Sequence, residues 1–115
     1  SDPRIIVAIV EHGFQPERVS VDYDDMSKLG SGIYRSEDGG ESWRYINRFN
    51  NRPFYYSHIF LDPVDTKRVY MLATIASVST DGGRTFTETM PGIAGDYHAL
   101  WIDPANPKRM YVGND

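Results

Sequence analysis

Two stretches pair an acidic side chain with glycine-rich backbone, a combination able to hold a cation or present a carboxylate to a substrate. They are Ser36-Glu37-Asp38-Gly39-Gly40-Glu41-Ser42-Trp43 and Ser79-Thr80-Asp81-Gly82-Gly83-Arg84-Thr85-Phe86. As a calcium loop the pattern lacks the alternating oxygen ligands such a loop supplies. As a catalytic aspartate it is weakened by its own recurrence: Asp38 and Asp81 lie 43 positions apart with the same neighbours, whereas a reaction needs its group once. The residue types explain themselves locally instead. An Asp in a tight turn accepts hydrogen bonds from nearby backbone N–H groups. Glycine supplies the positive φ a hairpin demands. Ser and Thr hydroxyls bridge the turn, and Trp43 or Phe86 is expected to plug the gap to a neighbouring sheet. Ser36, Asp38, Gly40, Ser42 and Trp43, with Ser79, Asp81, Gly83, Thr85 and Phe86, are therefore expected to be structural.

The elements around these turns are short and β-rich. Residues 4–10 (RIIVAIV) form a continuous apolar run that reads as a buried strand. Residues 32–35, 43–49, 54–61 (FYYSHIFL), 68–74, 77–79, 85–89, 97–102 (YHALWI) and 109–113 read as further strands, separated by turn-forming Asp, Asn, Gly and Pro. The repeat extends past the glycine turns. Asp62-Pro63 returns as Asp103-Pro104 and Arg68-Val69-Tyr70 as Arg109-Met110-Tyr111, each 41 positions on, and Asp2-Pro3-Arg4-Ile5-Ile6 reads as a shortened version of the same turn and strand. A period of roughly 40 to 45 residues with about four strands each signals a β-propeller. The expected fold is all-β: four-stranded antiparallel meanders amounting to two to two and a half blades. These are a partial blade over residues 4–49 with an inserted loop at 11–31, a complete blade over 54–89, and the start of a third over 97–115. So few blades do not close a ring, which predicts a piece of a larger propeller or a unit that self-associates.

Composition narrows the partners. The 115 residues carry 12 basic and 16 acidic side chains, a formal charge of −4, with the basic residues scattered. That is the wrong balance for a nucleic-acid backbone. There is no cysteine, hence no disulfide or cysteine-ligated zinc. No apolar run approaches the roughly 20 residues of a membrane span, and no leader peptide is evident. No cofactor is called for. Asp22, Asp24 and Asp25 read as a solvated loop, with calcium as the alternative.

The two glycine turns, SEDGGESW and STDGGRTF, resemble the Asp-box, or bacterial neuraminidase repeat. That repeat is found in sialidases, xyloglucanases and sortilin-type propellers. The longer strings NRPFYYSHIFLDP and GDYHALWIDPANPKRMYVGND resemble large bacterial sortilin-like or glycosyl-hydrolase-like repeat proteins. The resemblance covers most of residues 32–115. It implies a propeller whose boxes lie away from the ligand face, and a secreted or periplasmic location.

Antiparallel meanders send alternate turns to opposite rims. One rim holds both Asp-boxes and both Asp-Pro turns. The other holds what does not repeat: residues 11–31, 50–56 and 90–98, with Asn114 and Asp115. Non-repeating loops on one face are where repeat proteins carry binding. Arg52, Tyr55, Tyr56, His58, Asp96, Tyr97 and His98 are the candidates there, and could bind a sugar or an acidic ligand. Against this, Tyr56 and Tyr97 occupy equivalent positions and read as packing residues. His58 aligns with Ala99 and reads as a satisfied core or interblade histidine. Asp96 and His98 read as loop anchors before acid–base groups. A sialidase needs three convergent arginines; Arg68 and Arg109 fall on the box rim, leaving Arg52 alone. Other glycoside hydrolysis needs two opposed carboxylates, for which Asp96 and Asp115 are the pair available. The leading expectation is a binding or scaffold module, and the alternative is a fragment of a propeller glycoside hydrolase.

Overall fold

The computed structural model describes residues 2–10, 32–48, 57–93 and 95–115. Among them are nine strands and no helix: β1 Ile6–Val10, β2 Gly32–Ser36, β3 Arg44–Asn47, β4 His58–Leu61, β5 Val69–Leu72, β6 Ala76–Ser79, β7 Thr87–Thr89, β8 Tyr97–Ile102 and β9 Met110–Asn114. They form three antiparallel sheets in chain order, β1-β2-β3, β4-β5-β6-β7 and β8-β9. The expected partition into three, four and two strands is the one observed. The insertion at 11–31, the acidic cluster Asp22, Asp24 and Asp25, and Arg52, Tyr55 and Tyr56 lie outside the described residues.

Neighbouring sheets meet through their early strands: β1 contacts β4, and β4 and β5 contact β8. The middle sheet is covered on both faces, which is why every residue of β5 is buried. On one face Tyr70, Leu72 and Ala76 pack with Leu100, Ile102 and Tyr97 of the third sheet, joined by Phe60, Val78, Met110 and Val112. Side chains alternate along a strand, so Val69 and Met71 point the other way, towards the first sheet. Both are fully buried, as is Ile33 of β2. Side-chain bonds among the described residues cross that boundary: Arg35 Nη1 donates to Thr66 O at 2.8 Å, and Asn47 Nδ2 to Arg84 O at 2.6 Å.

The Asp-Pro turns are built alike. The Asp62 carboxylate accepts from the backbone N–H groups of Val64 and Asp65 at 2.8 and 2.9 Å, which lets it lie fully buried. Asp103 accepts from Ala105 N at 2.8 Å in the same way. The N-terminal Asp2-Pro3 corrects the sequence alignment. Ile6 pairs with Ser36 as Val69 pairs with Ser79, so Asp2 corresponds to Asp65 and Asn106, and not to Asp62 and Asp103. Its bonds agree: Arg4 N donates to Asp2 Oδ1 and Ile5 N to Asp2 O, matching Lys67 and Arg68 on Asp65, and Lys108 and Arg109 on Asn106.

Candidate functional site

The two glycine turns are superposable in their bonding. Ser36 Oγ donates to Asp38 Oδ1 at 2.8 Å and accepts from Gly40 N at 2.8 Å; Ser79 Oγ does the same with Asp81 Oδ1 at 2.7 Å and Gly83 N at 2.9 Å. Asp38 then accepts from Ser42 N at 2.9 Å and from the Ser42 hydroxyl, as Asp81 does from Thr85 N at 2.9 Å and the Thr85 hydroxyl. The four glycines, 39, 40, 82 and 83, have φ between 79° and 102°, values a side chain would strain. The Ser42 hydroxyl and N–H, with the Ser36 hydroxyl, hold the Asp38 carboxyl at about 2, below its ordinary 3.8. Bonds from the Thr85 and Ser79 hydroxyls hold Asp81 well below the carboxylate range. Both carboxylates are engaged by hydrogen bonds from within their own turns.

Trp43 departs from the expected gap-filling role. Its indole Nε1 donates to Gly40 O at 2.9 Å, so the ring lies back over its own turn and keeps a 36% exposed surface. It is Gly83 that meets the neighbouring sheet: a Cβ built there would lie 3.6 Å from Ile46 and 3.7 Å from Ile33.

The boxes and Asp-Pro turns stand side by side on one rim, tied by Gly39 N to Arg4 O at 2.9 Å and Gly82 N to Lys67 O at 2.8 Å. Sequence reasoning treated this rim as structural only. It also holds an open groove of about 630 Å3 between the first and second sheets, lined in part by Arg4, Arg35, Glu37, Lys67, Asp81 and Arg84. The signal for it was Arg35, which stands where the repeat has Val78. Arg35 is nearly buried and spans from Glu37 Oε1 at 3.2 Å to Thr66 O. Arg4 is held bidentately by Asp2. These charges are largely matched within the groove.

The opposite rim brings together the candidates at 96–98, the β5–β6 turn and the end of β9. Asp96 N and Tyr97 N donate to Thr74 O and Ala73 O at 3.2 and 2.9 Å, and Asp96 O accepts from Asp115 N at 3.3 Å. His98 Nε2 lies 3.5 Å from Asp115 Oδ2, an ion pair when the imidazole is protonated. Tyr97 is buried, as the packing reading requires, and its hydroxyl donates to Met90 O and Ile93 O at 3.4 and 3.3 Å, holding the preceding loop down. That loop contains both non-glycine residues with positive φ among the described residues, Met90 at 56° and Asp96 at 58°. Such backbone is uncommon for Met and tolerated by Asp.

His58 overturns its expected place. It is exposed at the start of β4, its ring tilted against Phe60 with centroids 6.4 Å apart, because the strand begins at the rim instead of in the covered interior. Among the described residues no group of three or more His, Cys, Asp or Glu side chains is placed to hold a metal ion, and no helix is long and apolar enough to cross a membrane. Comparison with protein families, with curated proteins and with solved structures found no match to this chain.

Proposed function

We propose that the chain is a binding or scaffold module built from Asp-box propeller blades, which recognises a protein, peptide or glycan through its non-repeating rim. The observation that carries this reading is the contrast between the rims. One is made of turns whose polar groups bond within themselves, twice over. The other gathers Asp96, His98 and Asp115 beside a loop whose two non-glycine residues of positive φ sit at either end of it. Backbone strain of this kind concentrates at ligand clamps. The propeller itself is supported by three antiparallel sheets meeting through their early strands, and an exported location is what the Asp-box resemblance suggests.

Titration of sialyl-lactose, xyloglucan oligosaccharides and short acidic or basic peptides, followed by amide NMR, tests the reading. Shift changes are expected at Thr74, Asp96, His98 and Asp115, and His98→Ala should weaken binding about tenfold, on the order of 1.4 kcal/mol. Changes confined to the box rim would overturn it.

A second reading is a glycoside hydrolase using two carboxylates, for which Asp96 and Asp115 are backbone neighbours on this rim. Turnover of sialosides or β-glucan oligosaccharides that Asp96→Ala abolishes would establish it over the binding module.

A further inference from the structure

The box rim repeats its backbone but not its charges. Arg35 stands where the second sheet has Val78, and Arg84 stands where the first box has Glu41. Both exceptions meet at one glycine. The point where a Cβ of Gly82 would stand lies 3.6 Å from Arg84 Nη1 and 3.9 Å from Arg35 Nη1. The same point on Gly39, its counterpart in the first box, has nothing within 4 Å. Like charges brought to one point favour an anion between them, and guanidinium forks match the oxygens of an oxyanion.

The two arginines line the groove of about 630 Å3 between the first and second sheets, a size within the range of small-molecule sites. Arg35 is 9% exposed, and its bonds from Nε to Glu37 Oε1 and from Nη1 to Thr66 O fix it in place. Arg84 Nη1 donates at 3.1 Å to Asp81 O, a neutral partner. A guanidinium carries five N–H donors, so both side chains keep donors beyond these bonds. Among the described residues, Arg4 and Arg35 are ion-paired with Asp2 and Glu37, whereas Lys67 and Arg84 of the same lining form no ion pair. The Asp81 carboxylate is taken up by Ser79 and Thr85 of its own turn. No aromatic side chain among the described residues lines the groove, so recognition there falls to charge and hydrogen bonding and not to stacking on a ring.

We propose that the groove over Gly82 binds a tetrahedral oxyanion, the phosphoryl or sulfate group of a small molecule, between Arg35 and Arg84, with Lys67 supplying a further cation from the same lining. The rest of the groove takes the body of an ester. The site lies on the rim opposite the binding surface proposed above and does not depend on it.

Calorimetric titration of the intact 115-residue chain at low ionic strength tests the proposal. The probes are inorganic phosphate, inorganic sulfate and glucose 6-phosphate, with glucose as the neutral control, at about pH 8, where a phosphate monoester carries close to two charges. Saturable binding of the anions and not of glucose is expected, weakened by added salt, with amide shifts at Lys67, Gly82 and Arg84. Tighter binding of glucose 6-phosphate than of inorganic phosphate assigns the site to an ester, and equal affinities assign it to the free ion. Arg84→Glu installs the residue the first box carries, so the turn is kept, and it should weaken binding about tenfold or more. Lys67→Gln should weaken it less. Lys108 holds the same turn position in the third sheet, its N–H bonded to Asn106 as that of Lys67 is to Asp65, but it lies outside the groove, so Lys108→Gln should leave binding unchanged. Failure of all three anions to bind overturns the proposal. So does binding that Arg84→Glu leaves intact, or that Lys108→Gln weakens as much.

Discussion

Ser79 is 1% exposed, and its hydroxyl both feeds Asp81 and receives Gly83 N. Removing the oxygen leaves a buried N–H without an acceptor, so Ser79→Ala should cost about 1–3 kcal/mol in urea unfolding. Ser36→Ala, with the same two bonds, should fall in the same range. The carboxylates make the boxes pH-sensitive in a definite direction. Asp38 titrates near 2 in the folded chain and at its ordinary 3.8 when unfolded. A carboxyl depressed by folding contributes stability fully above its unfolded value, and that contribution is lost as pH falls through the folded one. Melting temperature should therefore drop between about pH 4 and pH 2. Asp38→Asn and Asp81→Asn should each flatten that slope while lowering stability at neutral pH.

At the scale of the element, register depends on single backbone positions. Gly32 opens β2 at φ 153°, and a Cβ there would sit 2.5 Å from Asn47 O and 2.7 Å from Tyr45. Gly32→Ala must push β3 away from β2; an unfolding cost of about 1–3 kcal/mol, the scale of other enforced backbone strain, is expected with loss of the Ile33–Asn47 pairing in hydrogen exchange. Elements were also where sequence reasoning did best. The turn residues marked all but the ends of the strands, and repetition assigned them to sheets before any contact was known. It misled where a dipeptide looked the same in two settings. Asp2-Pro3 spells Asp62-Pro63, but strand pairing sets it beside Asp65-Thr66, and no local signal carries that register. His58 was misplaced for a related reason: burial at a sheet boundary is set by the sheet that comes to lie there, which a single strand does not encode.

Across the whole molecule, protection should be graded from the centre outwards. β5 is covered on both faces, while β9 and β7 are largely exposed. Met71 and Leu72 amides should exchange most slowly, with Met71→Ala costing about 2–5 kcal/mol for a fully buried site. Because the sheets touch in series, the same mutation should loosen both flanking sheets. A change in β9 should leave the first sheet's exchange unaltered.

The paired bonds of the two glycine turns have a bearing on descent. Every donor and acceptor on Asp38 and Asp81 that holds these turns is supplied within four residues along the chain. Such a segment brings its carboxylate bonds with it wherever it is copied, and asks of its new surroundings two flanking strands and one backbone carbonyl for its first glycine N–H. Duplication of the unit therefore starts from a turn that already folds, and divergence is free to proceed in the loops of the far rim. Transplanting SEDGGESW into the place of STDGGRTF should leave the middle sheet intact, making the turn a heritable part whose history can diverge from that of the site it supports.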